Sequence, residues 1–246
     1  PLTPDDLARL GLPEKEWEAP RDKMPEIGHG WPFKKDRNVF VPAVDPSLLV
    51  SCVLPPLNGD LSEEDREEEA AKGVLKIGNV EELEFSVVLE GAKEGWGQWF
   101  VLPDGSSVWA FSIASAGALG QRLHFGRLEL PDGAALTAYA PGGGTGEQIA
   151  AAGWSATIPG ENCCLELRVP GGVSLDSLAV EIDKRAYLFK NPLEGMKSVG
   201  SCNIRIACRP GWLTTAMAVG RLAKVDDGGA WACTGTLLAD AAPESE

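Results

Sequence analysis

The chain has 246 residues, 44% of them hydrophobic, which is enough for a packed core and argues against wholesale disorder. Its 36 acidic and 22 basic residues leave a net charge of −14, and a surface this acidic repels phosphate backbones, so nucleic acid is not an expected partner. No apolar run approaches the roughly 18 residues that would cross a bilayer, so no membrane span is expected.

The length suits one large domain or two smaller ones. All but one unit of the net charge falls before Ser198. The chain begins at Pro1, with neither Met nor a signal-type apolar segment, which reads as a clipped start. The six cysteines are Cys52, Cys163, Cys164, Cys202, Cys208 and Cys233. None forms C-x-x-C, and only His29 and His124 could join them, so neither a zinc site nor any cofactor is expected. An even cysteine count suggests disulfides, although the chain is not a small cysteine-dense scaffold.

In chain order, Thr3-Pro4-Asp5-Asp6 places an N-cap residue, Pro at the first helical position and acids in the first turn, predicting a short helix to about Leu10. Residues 12–60 are proline-rich and aperiodic, and read as an extended, loop-rich lead-in in which His29 is solvated. Leu61 to Lys72 contains E-E-D-R-E-E-E, with Ser62 as N-cap and Gly73 as stop, and reads as a helix with a solvated acidic face rather than a binding patch.

From Val74 to Phe189 the pattern becomes short β-type segments with turns every eight to twelve residues or so. V-L-K-I, L-E-F-S-V-V-L, W-G-Q-W-F-V-L and V-W-A-F-S-I come first, then R-L-H-F-G-R-L-E-L, L-T-A-Y, W-S-A-T-I and C-C-L-E-L-R-V, and finally L-A-V-E-I and A-Y-L-F. Pro103-Asp104-Gly105, Pro131-Asp132-Gly133, Pro159-Gly160 and Pro170-Gly171-Gly172 mark turns, and the whole predicts an antiparallel β-sandwich. Alternation puts Leu123 and Phe125 on one face and His124 on the other, as an outward residue rather than a general base. The loop G-G-G-T-G at 142–146 lacks the following G-K-[ST] of a phosphate cradle and reads as a hairpin loop. Trp96, Trp99, Trp109 and Trp154 read as core filler, with a sugar-stacking platform as the competing reading. Cys163 and Cys164, adjacent in a strand, point to opposite faces, and Cys52 is a possible partner for one of them.

The series V-W-A-F-S-I-A-S-A-G-A, L-H-F-G-R-L-E-L-P-D-G-A-A-L-T-A-Y and I-P-G-E-N-C-C-L-E-L-R-V-P resembles the pro-region of bacterial secreted trypsin-like peptidases of the lysyl endopeptidase type. Downstream, Gly200-Ser201-Cys202-Asn203-Ile204, with Cys208 six residues on, resembles the start of the mature peptidase domain. Cys233-Thr234-Gly235-Thr236-Leu237 resembles the C-[TG]-G-[ST]-L strand of trypsin-like enzymes. The resemblance implies a lead-in with short helices (1–73), a β-sandwich pro-domain (74–190), a processing linker (191–197) and the truncated start of a trypsin-like β-barrel (198–246). It implies secretion, and disulfide partners for Cys202, Cys208 and Cys233 further downstream. It also implies a zymogen fragment that is inactive as given, because the family's His-Asp-Ser triad follows the C-T-G-T-L strand and no G-D-S-G-G occurs here. The expected partners are its own peptidase domain and the parent enzyme's protein substrates. Cleavage between Lys197 and Ser198 would suit an enzyme that cuts after Lys, with Arg185 and Lys190 as competing sites. A non-enzymatic secreted sandwich that binds carbohydrate or protein is the alternative. The C-terminal segment, lacking the rest of a barrel, is expected to be poorly ordered or to add to the sandwich as edge strands.

Overall fold

The computed structural model describes residues 40–190 and 219–236, apart from residues 94, 143, 145 and 227. The helix expected at residues 3–10, the 191–197 linker with Lys197 and Ser198, and Cys202 and Cys208 lie outside the described residues.

Alternating apolar residues build the strands, and the strands form two sheets. The first sheet has the order β1 (Ser51–Leu54), β4 (Ser107–Ser115), β10 (Asn162–Val169), β6 (Ala135–Tyr139) and β7 (Glu147–Ile149), with β3 (Gln98–Val101) also paired to β4. The second runs β12 (Val219–Asp226), β13 (Gly229–Thr236), β2 (Leu75–Glu90), β11 (Ala179–Leu188), β5 (Gly120–Glu129) and β8 (Gly153–Trp154), with β9 (Ile158–Pro159) also on β5. Pairing is antiparallel except between β1 and β4. The inward faces meet in one core, to which β4 gives Trp109, Phe111 and Ile113, β10 gives Cys163, Leu165 and Leu167, β5 gives Leu123 and Phe125, and β11 gives Val180 and Ile182. This is the expected β-sandwich, in which period-two side chains interdigitate between facing sheets.

The lead-in departs from its loop-rich reading. Cys52 and Leu54 of β1 enter the main core, and Ser51–Leu54 pairs parallel to Ser112–Ser115. A four-residue strand among prolines, with its partner sixty residues away, has no local periodicity by which to be recognised. Upstream of it, Glu166 accepts the backbone N–H groups of Ala43 (3.0 Å) and Val44 (2.8 Å), tying a strap across the outer face of the first sheet. Val44 there covers Val108 and Ala110, so β4 is buried on both faces.

Helix α1 (Glu63–Lys72) matches its local signals. The Ser62 hydroxyl accepts the Asp65 N–H at 3.0 Å, the Asp65 carboxylate accepts the Ser62 N–H at 2.9 Å, and Gly73 closes the helix. The segments V-L-K-I and L-E-F-S-V-V-L are halves of one strand, β2. Against β5, β11 carries one extra residue, Asp183, between Ile182 and Lys184, and its register with β2 shifts at the same place. An extra residue reverses which side chains face inward. Ile182 therefore points into the sandwich, whereas Ala186 and Leu188, of the same parity, belong to a second cluster.

Candidate functional site

That second cluster defines the site. Ile77, Ala186 and Leu188 come from the sandwich, and Ala230 and Ala232 come from β13, with Val80, Trp154 and Val225 packed around them. The C-terminal segment thus docks as a β12–β13 hairpin, with Ala230 opposite Gly78, Trp231 opposite Lys76 and Ala232 opposite Leu75. Addition as edge strands, one of the two expected outcomes, is the one observed for residues 219–236. The Arg122 guanidinium on β5 donates to the Ala223 carbonyl on β12 at 3.4 Å, and Trp154 on β8 shares the cluster with Val225. The seven-stranded sheet therefore curls until its two ends meet across the docked hairpin, without closing into a barrel.

Small residues make the fit. A Cβ on Gly229, whose φ is +146°, would stand 2.8 Å from the Gly78 carbonyl oxygen, and one on Gly78 would stand 2.5 Å from the Tyr187 carbonyl oxygen. The backbones cross at a distance that only glycine allows. Lys76, buried in spite of its charge, lies 5.5 Å from the centre of the Trp231 ring, and its ammonium donates to Asp65 at 2.6 Å. The Lys76 hydrogen bond holds the Asp65 carboxyl below its ordinary value. On the hairpin side, burial pushes Asp226 up, but hydrogen bonds from Lys224, Trp231 and Gly228 outweigh it and leave the carboxyl lowered. The acidic helix is accordingly not just a solvated face, since Asp65 and Glu69 meet Lys76 and Lys190.

Of the predicted site residues, Cys233 is described, and it sits half-buried in β13 opposite Leu222. The four described cysteines are free. Cys52 and Cys163 both face the core but flank Ile113 from opposite sides, in strands two apart. That spacing is roughly 9–10 Å, beyond the reach of a disulfide. Burial pushes the thiols of Cys163, Cys52 and Cys164 up. A thiol reagent is therefore expected to label Cys233 in the native chain and these three only on unfolding, as peptide mapping would reveal. Equal labelling of Cys163 under native conditions would contradict it.

Arg185, read as a competing cleavage site, is fully buried in the middle of β11 and unreachable by a protease in the folded chain. The Phe189 and Lys190 N–H groups both donate to Ile77 O, so the exit from β11 is tied to β2. The four tryptophans make no single platform, because Trp109 is buried in the core and Trp154 belongs to the other sheet. His124 faces outward as expected, but its Nδ1 lies 2.6 Å from the Asp183 carboxylate and its ring packs on Trp154. The bulge at Asp183 creates that pair, and nothing local in the sequence announces it.

A family model for the lysyl endopeptidase N-terminal domain matches residues 53–189, from β1 to just past the end of β11. The chain belongs to the lysyl endopeptidase N-terminal domain family. It is 31% identical over 168 residues to a lysyl endopeptidase from Pseudomonas aeruginosa, an alignment that covers 57% of this chain and 35% of that protein. The chain thus spans about a third of the length of this curated relative. The family match covers the sandwich, and the docked hairpin lies beyond it. No described helix is long and apolar enough to cross a membrane.

Proposed function

We propose that the chain is the pro-region of a secreted trypsin-like serine endopeptidase zymogen, joined to the first strands of its own peptidase domain. The sandwich acts as folding aid and inhibitor by holding those strands before the barrel closes. The observation that carries this reading is the hairpin, whose C-T-G-T sequence resembles a peptidase barrel strand and which completes the sheet of a lysyl endopeptidase N-terminal domain. The chemistry belongs to the part of the enzyme beyond the matched region. There a Ser hydroxyl would attack the scissile carbonyl, a His take its proton and an Asp orient the His. Cleavage between Lys197 and Ser198 would separate the two parts, Cys202, Cys208 and Cys233 would pair downstream, and the parent enzyme's substrates would be proteins.

The test is refolding of the full-length precursor, read as yield of active peptidase. Deleting residues 40–190 is expected to abolish recovery. Lys76→Glu, which sets a carboxylate beside Asp65 and under the Trp231 ring, is expected to lower recovery several-fold. Full recovery from the deleted precursor would overturn the folding role.

A further inference from the structure

We propose that the Leu75–Gly78 edge of β2 is a strand-acceptor site that keeps the peptidase hairpin bound after the linker between them is cut. The inference rests on the pro-region reading above and adds what the surface recognises and what becomes of the complex. Hydrolysis of a linker peptide bond consumes one water and leaves a carboxylate on the pro-region and an amine on the peptidase. The contacts described for the hairpin run directly to the sandwich. The ladder joins β13 to β2, the cluster joins Ala230 and Ala232 to Ile77, Ala186 and Leu188, and Arg122 reaches Ala223. The sandwich side of the cut remains anchored too, since the Phe189 and Lys190 N–H groups hold to Ile77 O.

The same contacts define the partner as an extended segment of the pattern glycine, small residue, aromatic, small residue. Glycine is required at position 229 because its backbone meets Gly78 O and the Lys76 side chain, where any Cβ would clash at 2.8 Å. Small residues are required at 230 and 232 because their side chains, 1% and 5% exposed, are enclosed in the cluster that holds Ile77, Ala186 and Leu188. Trp231 is read by Lys76, whose ammonium Asp65 fixes in place at 2.6 Å. Main-chain pairing gives adhesion and the side-chain seats give selectivity, the division of labour of strand addition at a sheet edge.

The test uses the whole chain with residues 192–197 replaced by the recognition sequence of a sequence-specific protease. After complete cutting, the two pieces are expected to co-elute in size-exclusion chromatography at low micromolar concentration. Their separation under native conditions would overturn the proposal. Gly229→Val alters the hairpin alone and leaves the sandwich core intact, as its circular dichroism and thermal transition would report. Cut Gly229→Val chain is expected to release the C-terminal piece, and retention equal to the parent's would show that something other than this edge holds it. The pro-region reading fails separately, if the deleted precursor recovers full activity, and it can fail while the cut chain stays together.

Discussion

Trp109→Ala is expected to lower the unfolding free energy of the sandwich by about 4 kcal/mol, a large share of the 5–15 kcal/mol typical of a domain. Trp109 is 1% exposed and sits on β4, the strand that pairs with β1, β3 and β10. Its indole N–H donates to the Trp96 carbonyl at 2.7 Å, and Gly97 passes so close that a Cβ there would lie 2.6 Å from the indole nitrogen. Alanine would empty the largest fully buried side-chain volume of the core and leave the Trp96 carbonyl without its donor. Trp109→Phe keeps much of the volume and loses the hydrogen bond, so its cost should be nearer 1–2 kcal/mol. Urea unfolding followed by circular dichroism separates the two, and a cost for Trp109→Ala no greater than that for Trp109→Phe would refute the core assignment.

What was legible in the sequence was local. The Ser62 cap and Gly73 stop of α1 act through residues three or four apart, and both helix ends lie where those residues put them. The short apolar run Val108 to Ile113, bounded by the turn Pro103-Asp104-Gly105, reads as a strand from its length and flanking turn. What covers the outer face of β4 was not legible, because the strap is fixed by Glu166, more than 120 residues from Val44. The bulge at Asp183 was equally hidden. It is one extra residue against β5, next to a second register shift at Glu181/Ile182, yet it sends Ala186 and Leu188 to the outside and makes the hairpin seat. Cys233-Thr234-Gly235-Thr236 resembles a peptidase strand, but the resemblance does not tell where that segment rests. That depends on Gly78, Lys76 and Gly229 meeting across 150 residues of chain, a complementarity that no window of sequence contains.

Arg185→Ala is expected to cost about 3 kcal/mol, because it breaks a buried ionic network from its centre. The guanidinium is fully buried and donates to the Glu81 carboxylate, to the Pro55 carbonyl and, at 2.7 Å, to the Ser115 hydroxyl. Ser115 in turn donates to Gln121 at 3.1 Å, and Gln121 donates to the Glu161 carbonyl at 2.8 Å. One side chain on β11 thus links β2, the end of β4 and the lead-in, closing one end of the sandwich. Arg185→Lys should recover little, since a single ammonium cannot reproduce a planar fork that meets three acceptors in different directions. Arg185→Met combined with Glu81→Leu should recover more, because it removes the stranded charge along with its partner. Denaturant unfolding at neutral pH gives all three costs, and a loss below about 1 kcal/mol for Arg185→Ala would mean that water replaces the guanidinium. The network also sits one residue from Ala186, on which the hairpin rests. Arg185→Ala should therefore loosen the β12–β13 dock as well, and hydrogen exchange at Ala230 and Ala232 should rise before that at Leu123 and Phe125.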